Sequence, residues 1–190
     1  MTFDISTGIE ICWIALALLW LAGTFFSKPT ERAQSAGARS IHIALAVIGG
    51  LLIGRFFFRG TWMDAHFVPG THSVRLAGFL STLAGTLFAV WARLTLGSNW
   101  SGRATVKSGH ELIVKGPYSL ARHPIYTGVL LALAGTLLVQ GRWRCIVGFA
   151  VILLALAIKI SQEERLMMET FPAEYPEYKR RVKALVPFVF

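Results

Sequence analysis

The chain has 190 residues, of which 54% are apolar and only 15% charged, against about 25% charged in ordinary soluble domains. Its apolar residues form long unbroken runs, which excludes a soluble domain with amphipathic stripes. The net charge of +9 sits beside those runs rather than coating a polar domain, so it reads as membrane orientation and attraction to anionic lipid, with no nucleic-acid partner.

Taken in order, the runs predict an all-α integral membrane protein with about five transmembrane helices. The first spans about Gly8 to Phe26. Asp4 and Glu10 stand where a signal peptide would carry positive charge, so this run is expected to stay as an anchor. The second spans about Ile41 to Phe58, and the third lies between Arg75 and Arg93. The fourth runs from Pro124 to Gly141, and the fifth, Cys145 to Ile158, has only 14 uncharged residues. A spanning helix needs about 20 residues, so the last two read as a tight C-terminal hairpin turning at Gln140-Gly141-Arg142. A cytoplasmic helical segment follows. The organisation expected is N-terminal membrane helices over 1–72 and a core over 73–190, within one structural domain.

With the N-terminus outside, fourteen of the nineteen Lys and Arg residues fall on the cytoplasmic side. That choice brings the polar segments 97–123 and 159–190 together at the cytoplasmic face. Cys12 and Cys145 both lie inside apolar runs, so no disulfide is expected, and neither has a His or Cys at metal-ligand spacing. The tetrad Leu-Ala-Gly-Thr recurs at 21–24, 83–86 and 133–136. Its small residues suit close approach of membrane helices.

Two segments carry candidate chemistry. The first is His110-Glu-Leu112-Ile113-Val-Lys-Gly-Pro-Tyr118, then Arg122-His123-Pro124-Ile-Tyr126. Gly116-Pro117 marks a turn, and Pro124 suits the first position of the fourth helix. Arg122 and His123 then stand at that helix's mouth, beside amides able to bind an anion. The same residues could serve as interfacial anchors, with Tyr118 and Tyr126 in an aromatic belt. The second segment runs from Lys159 through Glu163-Glu164 to Tyr178. Lys159 and Glu163, four apart, share a helix face, as a site or as a plain salt bridge.

Together these residues resemble the isoprenylcysteine carboxyl methyltransferase family, within a wider group that includes phospholipid methyltransferases. The pattern is His110-x-Leu-Ile-x-x-Gly-x-Tyr118-x-x-x-Arg122-His123-Pro124-x-Tyr126-x-Gly128. It continues with Glu163-Glu164, Phe171, Glu174, Tyr175, Tyr178, Arg181 and Pro187, and Asn99-Trp100-Ser101 precedes it. The resemblance covers about residues 75–190. It implies S-adenosyl-L-methionine as donor, in a cytoplasmic pocket closed by the C-terminal segment. By similarity His110, Leu112, Ile113 and Tyr118 line that pocket. His123, Pro124 and Tyr126 hold the methionine end, Glu163 binds the donor through adenosine, and Arg122 is a further donor-binding residue. Arg103 matches a polar donor contact of some relatives. Lys159 stands where relatives have an acceptor-orienting Arg, and Lys cannot form Arg's planar bidentate pair.

The activity implied is carboxyl methylation of an isoprenylcysteine-like or other lipid-like acceptor, such as a free isoprenoid or fatty acid, in a prokaryotic plasma membrane. Lys159 and Glu163 are the expected catalytic residues. The acceptor tail is expected to enter between the third and fourth helices. Other readings are a phospholipid amine methyltransferase, a sterol-type reductase using NADPH, and a non-catalytic membrane component. No Rossmann-type Gly-x-Gly-x-x-Gly occurs, which these membrane enzymes do not need.

Overall fold

The computed structural model describes residues 4–25, 30–33, 36–54, 58, 60–97, 105–107 and 112–186, with the backbone alone for 24–25, 30–33, 36–39 and 105–107. The protein is all-α, as expected, with six helices among the described residues. They are α1 (Ile5–Phe25), α2 (Ala36–Ile53), α3 (His72–Leu96), α4 (Pro124–Gln140), α5 (Trp143–Thr170) and α6 (Glu174–Arg181). Three of them, α1, α3 and α5, are long and apolar enough to cross a membrane, while α2 and α4 are shorter apolar helices. Two short strands, β1 (Thr30–Ala33) and β2 (Thr105–Lys107), pair antiparallel. The sequence reading had not anticipated that ribbon.

The fifth element departs from expectation. It is a continuous helix of 28 residues rather than a run ending at Ile158. A charge at Lys159 does not stop a helix when a partner lies within the bundle, and Glu163 supplies one. The hairpin turn does fall where expected. Gly141 adopts φ 61°, and its amide donates to the Leu137 carbonyl, a left-handed helix ending that glycine accommodates without strain.

Chain order alternates the helices, and contacts sort the connections to two ends. At one end Arg75 lies 4.0 Å from Asp4 and donates to Ser6. There the Phe67 amide also donates to the Gly141 carbonyl at 2.8 Å. The ribbon joins the segment after α1 to the segment after α3 at the other end, called the inner end below.

Small residues set the packing. A Cβ on Gly85 of α3 would lie 2.4 Å from the Ala132 amide nitrogen of α4, and one on Gly135 would lie 2.3 Å from the Gly78 carbonyl oxygen. The α3 and α4 backbones are therefore in direct contact, as the tetrads at 83–86 and 133–136 suggested. This contact overturns the expected acceptor route between those helices. It continues through Gly128 and Ala89 toward the inner end, so no acyl chain passes between the two helices along that stretch. In the third tetrad, Gly23 of α1 fits against the Arg93 guanidinium. Inside this group Trp13 donates to Thr136 at 3.1 Å, and Thr82 donates to backbone carbonyls.

A second pair, α2 and α5, meets at Gly49 and Gly148 in the same manner. Arg144, 2% exposed, fixes the outer end of that pair. Its Nη1 donates to the carbonyls of Leu52, Ile53 and Gly54, satisfying the orphan acceptors at the α2 C-terminus. Asp64 and Gln140 receive the rest of that guanidinium, and Arg142 also pairs with Asp64.

Candidate active site

The site forms at the inner end, where the start of α4 meets the polar half of α5. Pro124 opens α4 as the sequence indicated, needing no amide partner in the first turn. His123 before it adopts φ −121° and ψ 60°, outside helical backbone. That geometry points the His123 and Tyr126 rings along each other, stacked with centroids 5.6 Å apart and planes 7° from parallel.

One turn of α5 faces this stack. Tyr126 donates its hydroxyl to Glu163 Oε1 at 2.7 Å. His123 Nδ1 lies 3.5 Å from Glu163 Oε2. Lys159 Nζ stands 3.8 Å from Glu163 Oε1 and 5.4 Å above the Tyr126 ring, an ion pair reinforced by a cation–π contact. The structure thus brings together four residues that the sequence placed in the site: Lys159, Glu163, His123 and Tyr126. Ile113 and Tyr126 pack against a core of Ala92, Tyr118 and Ile125. Leu112 is half-buried. His110, Arg103, Asn99-Trp100-Ser101 and Pro187 lie outside the described residues.

Arg122 stands at the mouth of α4, as the sequence indicated. Its guanidinium is taken up by the protein: Nε donates to Glu164 Oε1 at 2.9 Å and Nη2 to the same oxygen, while Nη1 reaches the Lys179 and Val182 carbonyls. Arg122 is therefore a clamp on the C-terminal segment. The Arg122 and His123 amides donate to the Lys183 and Ala184 carbonyls, and the Thr127 hydroxyl donates to Leu185. Residues 182–186 form a strap along the mouth of α4.

Glu164 entered the sequence reading only within the motif and, with Glu163 and His123, as a candidate base for an amine acceptor. It accepts from Arg122, pairs with Lys179 at 2.7 Å, and lies 3.4 Å from His123 Nε2. The doubled acid after an apolar run, with the basic run Lys179-Arg180-Arg181 downstream, was the available signal. Tyr178 of α6 donates to the Tyr118 carbonyl, so α6 is tied to the same loop.

Electrostatics follow from this crowding. Burial opposes a charge on His123, but hydrogen bonds and the charges of Glu163 and Glu164 outweigh it and raise its pKa above the usual 6.5. Burial pushes the Tyr118, Tyr175 and Tyr178 hydroxyls up, so they stay protonated. His123 Nε2 is buried, and its 3.4 Å approach to Glu164 is an ion-pair contact rather than a well-directed hydrogen bond. An imidazole nitrogen so placed can still take a ligand atom.

The family model described as isoprenylcysteine carboxyl methyltransferase (ICMT) matches residues 77–169. The cobalt-zinc-cadmium resistance protein CzcN of Cupriavidus metallidurans is 31% identical over 145 residues, covering 74% of this chain and 58% of its own. Protein-S-isoprenylcysteine O-methyltransferase B of Arabidopsis thaliana is 30% identical over 115 residues, covering 59% and 58%. The protein-S-isoprenylcysteine O-methyltransferase of Saccharomyces cerevisiae is 32% identical over 127 residues, covering 62% and 53%. The chain spans a little over half the length of these relatives.

Proposed function

Residues 77–169 belong to the isoprenylcysteine carboxyl methyltransferase family, and from that premise we propose that the chain methylates the carboxylate of an isoprenylcysteine-like lipid, with S-adenosyl-L-methionine as donor. The observation that carries the reading is the cluster of Lys159 and Glu163 from α5 with His123 and Tyr126 from the start of α4.

The donor fits these residues. His123 offers a buried Nε2 that meets Glu164 only as an ion-pair contact, and Glu163 offers a half-buried carboxylate to a cationic or hydroxyl-bearing ligand. Tyr118, Leu112 and Ile113 supply the apolar wall, with His110 preceding them in the chain. Pro124 fixes the turn that aims His123 and Tyr126. S-adenosyl-L-methionine, when bound, supplies a methyl group already activated on a sulfonium.

The chain's own task is positioning. An acceptor carboxylate has a pKa near 4 and is ionised without a base. Lys159 holds it by charge, and Glu163 and Tyr126 limit where the Lys159 ammonium can stand. The strap over 182–186, fastened by Arg122, covers the mouth of α4 and excludes water. Such alignment can supply roughly 7–11 kcal/mol of the barrier. No side chain needs to act as a nucleophile.

We assign the inner end to the cytoplasmic face of a prokaryotic plasma membrane, in keeping with the Lys and Arg bias of the connecting segments. The test is direct binding of S-adenosyl-L-methionine to the detergent-purified protein, followed by transfer of labelled methyl to S-isoprenylcysteine. Micromolar binding, weakened by Glu163→Ala, and an alkali-labile methyl ester product are expected. Lys159→Met should abolish ester formation with donor affinity unchanged. Labelling of an amine lipid instead, or a folded protein that binds only NADPH, refutes the reading.

A further inference from the structure

α2 lies outside the segment matched by the family model, yet it packs against α5, the helix that carries Lys159 and Glu163. Its buried positions are His42, Gly49 and Ile53, spaced by seven and four residues, so they share one stripe of the helix. Gly49 meets α5: a Cβ there would lie 2.5 Å from Ile152 and 2.8 Å from the Gly148 carbonyl oxygen. The two helices run in opposite senses. Seven residues advance about 10 Å along a helix. His42, seven residues toward the inner end from Gly49, therefore comes opposite Ala155 to Lys159. Positions 148, 152, 155, 159 and 163 form a single face of α5, spaced by three or four. The face that α2 covers is thus the one carrying Lys159 and Glu163.

Two further observations concern the imidazole itself. His42 is 7% exposed, and its Nδ1 is a buried nitrogen with no hydrogen-bond partner. Ala155, at the level of His42 on α5, is 2% exposed and contributes only a methyl group. An ionisable side chain within an apolar helix, turned inward and lacking a partner, marks a ligand path.

We propose that His42 is an acceptor-recognition residue. This rests on the carboxylate reading above and deepens it. Lys159 holds the carboxylate, and His42 hydrogen-bonds a second polar group of the acceptor, about one helical turn closer to its apolar tail. The substrate class is thereby narrowed to lipids carrying an amide or amine beside the carboxylate, as an S-alkylated cysteine does, rather than plain fatty acids.

The experiment uses the full chain in phospholipid vesicles with labelled donor and two acceptors. One is N-acetyl-S-farnesylcysteine, and the other is the same molecule with hydrogen in place of the acetamido group. His42→Leu, close in volume to imidazole, should raise KM for the first acceptor by about tenfold. It should leave KM for the second, kcat and directly measured donor affinity within about twofold. His42→Gln, which keeps a donor and an acceptor, should recover part of the loss. KM values that move together for both acceptors, or that do not move at all, overturn the proposal. A wild-type protein that binds the donor but methylates neither acceptor refutes the carboxylate reading itself.

Discussion

Replacing Glu164 with Gln removes one charge from the junction that holds the C-terminal segment. The Arg122 and Glu164 side chains are only 7% and 10% exposed, so this is a buried pair. Removing one partner of such a pair costs about 3–5 kcal/mol. Gln keeps one carbonyl oxygen for Arg122, which returns part of that. Lys179 is 46% exposed, so its share is at most about 1 kcal/mol. A net loss of about 2–3 kcal/mol follows, equivalent to roughly a 30- to 150-fold larger population with α6 and the strap detached. Trypsin reads that population, because Lys179, Arg180 and Arg181 lie within the segment released. Cleavage there should accelerate by the same factor, while Glu169→Gln, whose partner Arg165 is exposed, should stay within about threefold of wild type. Cleavage of a folded Glu164→Gln protein at the wild-type rate would refute the assignment of Glu164 and Arg122 as the fastening of the strap.

Tyr126→Phe deletes the hydroxyl that donates to Glu163, a bond to a charged group worth about 1.5–3 kcal/mol; donor affinity by calorimetry should fall by at least about tenfold. Gly85→Ala sets a methyl group 2.4 Å from the Ala132 nitrogen and should lower thermal stability by about 1–3 kcal/mol, whereas Gly50→Ala, with nothing within 4 Å, should be neutral in the same melt. His123 has a raised pKa, so its charge stabilises the fold fully below the ordinary imidazole value and loses that contribution as pH rises through the raised one. The difference in melting temperature between wild type and His123→Gln should therefore be largest near pH 6 and shrink toward pH 9, and a difference that grows with pH would contradict the pairing with Glu163 and Glu164.

Much of the site was legible because its geometry is local. Arg122-His123-Pro124 announces a helix start, and Lys159 and Glu163 share a face by spacing alone, so the cluster needed only α4 and α5 to meet. The length of α5 was misjudged because hydropathy stops at the first charge, and Lys159 finds its partner one turn later. Which helices pair was not legible. Gly49 and Gly148 look like any other small residues until their partners are known. The strap has no periodic signature, since it is held through the Lys183 and Ala184 carbonyls, which every sequence possesses. The partners of Arg122 were equally hidden: spacing does not reveal that its guanidinium meets Glu164 and two backbone carbonyls.

Arg144 has a mechanical meaning beyond capping. It rivets the end of α2, the start of α5 and the Asp64 loop into one joint at the outer end, and Arg142 adds a second fastening to that loop. The inner end is held by ion pairs among side chains together with the backbone hydrogen bonds of the strap. The two ends are therefore fastened by different means, a buried arginine on backbone carbonyls at one and side-chain ion pairs beside the strap at the other.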